Sequence, residues 1–433
     1  MFDIFRGLLG LVALLSIGFL FSTSRKSINW RIVAYGVFLQ LLFGVLVTKV
    51  PLVADSFAFV SRAFVKLLSF SNEGARFLFG NLADPSQNAG LGFIFAFNVL
   101  PTIIFFSAVS SGLYYLGVLQ KIVYGIAWVM SKGMRLSGAE SLSAAGNIFM
   151  GQTEAPLLVR PFIPHMTRSE LMCLMTGGMA TLAGGVLAAY VSFLGGSDPA
   201  QQAVFAAHLL TASIMNAPAG IVLAKMLVPE TEGDKINTRL EVNQEQIGVN
   251  LIDAVSRGAA DGLRLAANVG GMLLAFIAVI ALLNYALMKI GAVTGLNELV
   301  IASTSGQFDG FSFQYILGQI FRVFAFIMGV PWVDTLQVGS LLGQKTAVNE
   351  FVAYLDLADM KAAGTLSTKS IIMATYALCG FSNFSSIAIQ VGGIGSMAPS
   401  QQGNISRLGL LALLGASLAC MMSATVAGML YSF

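Results

Sequence analysis

Residues 143–159 read SAAGNIFMGQTEAPLLV, and residues 338–354 read VGSLLGQKTAVNEFVAY. Each run is predominantly apolar, yet each carries a carboxylate: Glu154 in the first, Glu350 in the second. An ionisable side chain at bilayer depth costs at least about 2.5–3.5 kcal/mol. It persists where it faces a polar cavity, a partner or a solute pathway. A polar cluster precedes each acid, Gln152-Thr153 in the first run and Lys345 with Asn349 in the second. Two such acids in one chain suggest a solute site inside a membrane, built from two similar halves.

The whole chain agrees. Of its 433 residues 56% are hydrophobic and 10% charged, where a soluble domain carries about 25% charged residues. That composition is a polytopic, all-α membrane protein. The 46 glycines suit helices that pack closely or break in lipid. The net charge of +3 comes from scattered basic residues, and no basic patch interleaved with aromatics points to nucleic acid. Cys173, Cys379 and Cys420 lie in apolar stretches with neither disulfide nor metal-ligand spacing. His165 and His208 each stand alone. The first apolar run, 7–22, lacks a sizeable basic region before it and a cleavage site, so it reads as an uncleaved span.

About twenty apolar residues cross a bilayer. The expected spans are 3–22, 31–50, 92–118, 169–194, 203–227, 264–292, 370–397 and 408–432, eight in all. Stretches 51–80 and 119–136 mix apolar and basic residues and read either as interfacial amphipathic helices or as structured loops. Stretches 138–164 and 311–356 are interrupted midway by polar residues and read as re-entrant hairpins, which membranes allow when protein covers them. Arg25, Lys26 and Arg31, then Lys132, Arg135, Arg160 and Arg168, then Lys225, Lys235, Arg239 and Arg257 mark cytosolic segments, while the loop 195–202 has no Lys or Arg. Both termini then face outward.

The interrupted segments begin a repeat. The first unit holds Glu140-Ser141-Leu142, then Gly151-Gln152-Thr153-Glu154, then the span GMATLAG (178–184). The second holds Asp334-Thr335-Leu336, then Gly343-Gln344 and Asn349-Glu350, then GFSNFSS (380–386). The tip spacings differ, so the match needs a gap. Span counting puts the hairpins on opposite sides. Inverted repeats with broken helices near the midplane are how many secondary transporters build a site. The expected division is 1–118 (scaffold spans and interfacial helix), 119–227 (first repeat), 228–310 (cytosolic loop, interfacial helix and long scaffold span) and 311–433 (second repeat). Unwound backbone offers carbonyls to a cation, carboxylates accept hydrogen bonds from hydroxyls and amines, and side-chain amides both donate and accept. Such a site fits a polar ligand with hydroxyl and amide-like groups and a flat or apolar part. Taken alone, Asn147, Glu140 and Asp334 also suit helix caps, and Phe381 suits core packing.

At these residues the sequence resembles the concentrative nucleoside transporters. The matching stretches are GNIFMGQTEAPLLVRPF (146–162), HLLTASIMNAPA (208–219), VPETE (228–232), NEFVAY (349–354), TYALCGFSNFSSIAI (375–389) and GGIGSMAPSQQGNISR (392–407). The resemblance covers the chain after about residue 90 and is weak in the first two spans. It implies that Gln152 and Glu154 bind a nucleobase, with Thr153 beside them acting through water. It implies that Glu350 accepts ribose hydroxyls, that Asn383 and Ser386 complete the ribose pocket, and that Phe381 packs at the sugar–base junction. It also implies a sodium site of Asn147, Thr181 and the backbone near Met150, Leu182 and Gly185. Thr181 stands where the family often has serine, and a threonine hydroxyl still ligates sodium. Asn147 is kept, where proton-coupled relatives depart from asparagine.

The expectation is therefore a sodium–nucleoside symporter of the plasma membrane, the inner membrane of a bacterium, working by alternating access as a homotrimer among lipids. It is not expected to be an enzyme or to bind nucleic acid. Rival readings are a proton-coupled carrier in which Glu154 or Glu350 titrates, a channel, and an intramembrane enzyme, for which no nucleophile–base pair or metal triad is present.

Overall fold

The order of helices shows how the two halves are assembled. The computed structural model describes residues 2–84, 94–196, 198–237, 240 and 248–431. Arg239, residues 92–93 of the third expected span and residue 197 of the external loop lie outside them. Helices α1 (Phe2–Leu20), α2 (Trp30–Lys49) and α3 (Pro51–Phe79) come first. A single turn, α4 (Phe95–Asn98), leads into α5 (Leu100–Tyr115). The first repeat is α6 (Val118–Met134), α7 (Gly138–Gly146), a 3-10 helix (Ala155–His165), α8 (Arg168–Ala180), α9 (Gly184–Gly195) and α10 (Pro199–Leu227). Then come α11 (Leu251–Thr294) and α12 (Leu296–Ser303). The second repeat is α13 (Phe313–Met328), α14 (Thr335–Ala347), α15 (Glu350–Ala362), α16 (Thr368–Leu378), α17 (Phe384–Met397) and α18 (Gln402–Tyr431). Each repeat thus runs as amphipathic helix, hairpin, broken span and long helix.

Among the described residues seven helical segments are long and apolar enough to cross a membrane: Asp3–Leu20, Trp30–Lys49, Phe95–Tyr115, Arg168–Gly195, Pro199–Leu227, Leu251–Thr294 and Pro399–Tyr431. The eighth expected span, 370–397, is split into α16 and α17, of 11 and 14 residues, neither long enough alone. Helix α11 has 44 residues, roughly 66 Å at 1.5 Å each. It begins well before the expected 264, inside what reads as a polar segment, and its start projects beyond the apolar core.

The hairpins also differ from their sequence outlines. The outgoing half of the first is a 3-10 helix, because Pro156, Pro161 and Pro164 remove N–H donors within eleven residues. The second hairpin is α14–α15, residues 335–362, and does not begin at 311. The stretch 313–328 is a separate amphipathic helix, α13, packed along α14. Its polar residues lie on one helical face and read, in sequence, like an interruption.

Contacts at the hairpin bases establish the inversion. At the first, Glu140 closes a capping box with Ser137 and pairs with Lys225 at the end of α10. The same end holds Thr23, just past α1, whose N–H and hydroxyl donate to Leu227 O at 2.8 and 3.0 Å. At the second base, Asp334 accepts from Ser367 and Ser370 Oγ, both at 2.6 Å. Nearby Lys369 pairs with Asp3, at the start of α1, at 2.9 Å. The bases therefore lie at opposite ends of α1, a 19-residue helix roughly 28 Å long. The hairpins enter from opposite faces. Arg25, Lys26, Arg31, Lys132, Arg135 and Arg168 lie in segments at the first base, making it the cytosolic end under the positive-inside rule.

The two breaks meet at the centre. Backbone turns extended at Thr181 and Ala183 in one span and at Asn383 in the other, where Gly380 takes a positive φ. Asn216 of α10 donates its side-chain amide to Ala180 O at 2.8 Å and to Cys379 O at 2.6 Å. Gly380 is needed here: its φ is +152°, and a Cβ would lie 2.7 Å from Ala180 O and 2.9 Å from Cys420 Sγ. Gly380→Ala should destabilise the protein by about 1–3 kcal/mol, seen as a lower unfolding temperature in detergent. An unchanged transition would show that the breaks are not held this closely.

Candidate functional site

Both hairpin tips and both breaks open onto one cavity of about 140 Å³. Gln152, Thr153 and Glu154 reach it from the first tip, Glu350 from the second, and Phe381, Asn383 and Ser386 from the second break. All seven residues singled out in the sequence for a polar ligand therefore line a single space. Leu265, Val269 and Met272 of α11 supply an apolar wall.

Local structure fixes each side chain. Glu350 is the first residue of α15, next to Asn349, whose side chain caps that helix by accepting from Val352 N at 3.0 Å. A carboxylate there meets the positive end of the helix dipole. It is 2% exposed, and its oxygens accept from Tyr190 OH at 3.1 Å and Asn383 Nδ2 at 2.8 Å. Asn383 in turn caps α17, its Oδ1 accepting from Ser386 N at 2.8 Å. Ser386 Oγ accepts from Gln152 Nε2 at 3.0 Å, joining the first tip to the second break. Gln152 Oε1 accepts from Gln390 Nε2 at 3.2 Å, and the same Gln390 nitrogen donates to Met175 O at 3.1 Å. Glu154 immediately precedes the 3-10 helix, accepts from Gly151 N at 3.1 Å and keeps the rest of its carboxylate open to the cavity. The lining thus offers carboxylate acceptors and amides able to donate and accept, over an apolar floor.

A second cavity of about 240 Å³ adjoins the first on the cytosolic side and shares Glu154, Ala183 and Leu265 with it. Ser107, Ser110 and Ser111 of α5 and Asp261 of α11 line it.

The residues singled out for an ion gather where the first tip meets the first break. Asn147 ends α7 and is wholly buried, and neither Oδ1 nor Nδ2 has a hydrogen-bond partner among the described residues. Its amide lies against the last turn of α8: a Cβ on Gly177 would sit 3.2 Å from Nδ2. Thr181 Oγ1 donates to the carbonyl of that same Gly177 at 2.9 Å. Phe149 O accepts from Gly184 N at 3.2 Å, which closes the tip onto the break. Leu182 is buried in the break, while Met150 and Gly185 line the second cavity. A buried side-chain oxygen with no donor, beside extended backbone, suits a small hard cation.

Asn147 is therefore not a helix cap through its side chain, whereas Glu140 is one and Asp334 ties its hairpin base to α16. Sequence reading missed Tyr190, Gln390, Asn216 and the wall from α11. Gln390, a lone amide in an apolar span, carried a signal. Tyr190 and the α11 residues are ordinary members of apolar runs and carried none. No cluster of His, Cys, Asp and Glu suited to a metal occurs among the described residues.

Family models match in three blocks: Na+ dependent nucleoside transporter N-terminus over residues 9–82, Nucleoside recognition over 96–197, and Na+ dependent nucleoside transporter C-terminus over 208–428. An uncharacterized transporter of Haemophilus influenzae is 41% identical over 433 residues, covering 99% of this chain and 98% of that protein. Solute carrier family 28 member 3 of Mus musculus is 41% identical, covering 97% of this chain and 58% of that longer protein. Among solved structures, CNTnw in an inward-facing substrate-bound state superposes with a TM-score of 0.88 at 40% identity, covering 99% of this chain and 98% of that one. A CNTnw double variant in an outward-facing state gives 0.90 at 40% identity, covering 100% and 98%. This multi-pass plasma-membrane protein is no enzyme, and it belongs to the Na+ dependent nucleoside transporter family.

Proposed function

We propose that the protein imports nucleosides by symport with sodium, exposing one site alternately to the two sides of the membrane. One observation carries this reading: both tips and a break deliver Gln152, Glu154, Glu350, Asn383 and Ser386 to a single cavity. Gln152 and Glu154, with Thr153 through water, bind the base. Glu350 accepts the ribose hydroxyls, Asn383 and Ser386 complete that pocket, and Phe381 packs at the sugar–base junction. Sodium sits with Asn147 and Thr181 and the carbonyls near Met150, Leu182 and Gly185. A neutral nucleoside gains nothing from the membrane potential by itself, whereas a sodium ion contributes about 2.3 kcal/mol per 100 mV. Solved relatives in inward-facing, outward-facing and intermediate states support the alternation. The second cavity lies on the cytosolic route out. The reading includes a homotrimer, as the family resemblance implies.

Glu350→Gln replaces two acceptor oxygens by one and adds a donor. Charge-assisted bonds contribute roughly 1.5–3 kcal/mol, so uridine binding should weaken at least about tenfold by calorimetry. Near-normal binding would remove Glu350 from the ribose site.

Base selectivity should be broad. A Cβ on Gly151 would lie 3.4 Å from Ala183 Cβ and 3.7 Å from Glu154 Cδ, so glycine keeps this edge of the cavity open to the larger purine ring. Adenosine should compete with labelled uridine for uptake into proteoliposomes. A purine that neither binds nor competes would refute this.

Ion and nucleoside must raise each other's affinity by the same factor. Uridine affinity should rise with sodium in the wild type, and Asn147→Ala should shift that titration to higher sodium while removing no nucleoside contact. A wild-type response to pH but not to sodium would establish the proton-coupled rival.

A further inference from the structure

In the second repeat a buried lysine stands where the hairpin tip meets the break. Asn216 marks the equivalence of the two breaks by donating to Ala180 O in one and Cys379 O in the other. In the first repeat, Asn147 reaches from the hairpin tip to the last turn of α8 and presents an oxygen with no donor. In the second, Lys345 reaches from the end of α14 to the last turn of α16. There its Nζ donates to Ala377 O at 2.8 Å, with the side chain 2% exposed. Gly177 lies three residues before Ala180, and Ala377 two before Cys379. The ammonium thus occupies the tip-to-break junction that corresponds, in the other repeat, to the unpartnered side chain of Asn147. Ser382 Oγ lies buried in the same break. It is a further oxygen that a cation at this junction can use.

We infer that Lys345 is the tethered counterpart of the sodium ion: it closes the second hairpin tip onto its break and so holds coupling to one sodium per nucleoside. The chemistry is direct. A protonated amine and a sodium ion both satisfy carbonyl and hydroxyl oxygens freed by unwinding, but the amine needs no occupancy from solution. The second tip is therefore organised, with Glu350 in place, whether or not sodium is bound. The first tip, carrying Gln152 and Glu154, is organised only with the ion. Lys345 is a positioning residue and touches no nucleoside.

The inference rests on the sodium-coupled reading, and one experiment separates the two. Uridine binding is titrated with sodium for the wild type and for Lys345→Met, Lys345→Gln and Lys345→Arg, with size-exclusion profiles checking the fold. The wild type should show a Hill slope of about one. Lys345→Met, which offers neither charge nor oxygen, should bind uridine about tenfold or more weakly and keep that slope. Lys345→Gln places an amide oxygen at the junction, so a second sodium should enter, recovering affinity at high sodium with a slope rising towards about two. Lys345→Arg retains the charge and should keep a slope of one. Wild-type affinity and slope in both the Met and Gln variants would overturn the inference and leave the sodium-coupled reading standing. Weak binding in Lys345→Gln with a slope of one would also overturn it, reducing Lys345 to a strut. Should Lys345→Met fail to fold, the Gln and Arg slopes decide. A wild type insensitive to sodium defeats the coupled reading, and this inference with it.

Discussion

The central constraint is backbone that leaves the helix inside a membrane protein. Each broken span releases carbonyl and N–H groups where no lipid can satisfy them, at a cost of several kcal/mol apiece if unpaired. One side chain answers for both breaks: the Asn216 amide donates to Ala180 O and Cys379 O, and Cys420 Sγ lies 3.4 and 3.1 Å from the same two oxygens. Sharing a donor requires the breaks to touch, and Gly380 is what lets them. The long helices α10 and α18, which carry Asn216 and Cys420, must then run together through the middle. The hairpin tips rest on the breaks, and the cavity is the space left between them.

The hairpin bases show the same economy with charge. Glu140 is 1% and Lys225 4% exposed by side chain, and Lys225 also donates to Ser169 Oγ at 3.0 Å. Breaking such a pair from one side leaves a buried charge and costs roughly 3–5 kcal/mol. Asp334, Ser367 and Ser370 fasten the other base with uncharged donors. Each hairpin is thus tied at its base to the start of its own broken span and at its tip to a break. Hairpin, broken span and long helix of one repeat form a continuous hydrogen-bonded body, with the apolar wall of α11 facing it across the cavity.

How much of this was legible in sequence depended on chemistry per residue. Glu154, Glu350, Gln152 and Asn383 were visible because a polar side chain in an apolar run needs a reason, and all four line one cavity. The pairing of acid, tip and glycine-rich break also suggested the repeat. Boundaries were less visible. The start of α11 is hidden because a helix leaving the bilayer takes on polar residues while its hydrogen bonding continues unchanged. The second hairpin was placed too early because an amphipathic helix and an interrupted one look alike without a partner surface. Tyr190 and the α11 wall lay beyond reach, since a residue packed against a site and one packed against lipid have the same sequence character. Asn216 was quoted within a motif, but that it bridges two breaks about 200 residues apart in sequence is a fact of tertiary structure.

The polarity of the cavity follows from which helix ends surround it. Glu350 opens α15, Asn383 caps α17, Glu154 precedes the 3-10 helix, and Ala183 precedes α9. Four helix starts therefore converge on the space, each with a partial positive charge. They offset the cost of burying carboxylates at the site. The balance has a consequence for the ligand. The carboxylates present acceptors outward, and the starts of α15 and α17 are already engaged with Asn349 and Asn383. What remains suits a neutral molecule rich in donors, as a ribose with free hydroxyls is. A phosphate would bring acceptors and negative charge to oxygens that can only repel it. On the proposed reading, discrimination between a nucleoside and its phosphorylated form thus arises from the same dipoles and acids that make the site stable in a membrane.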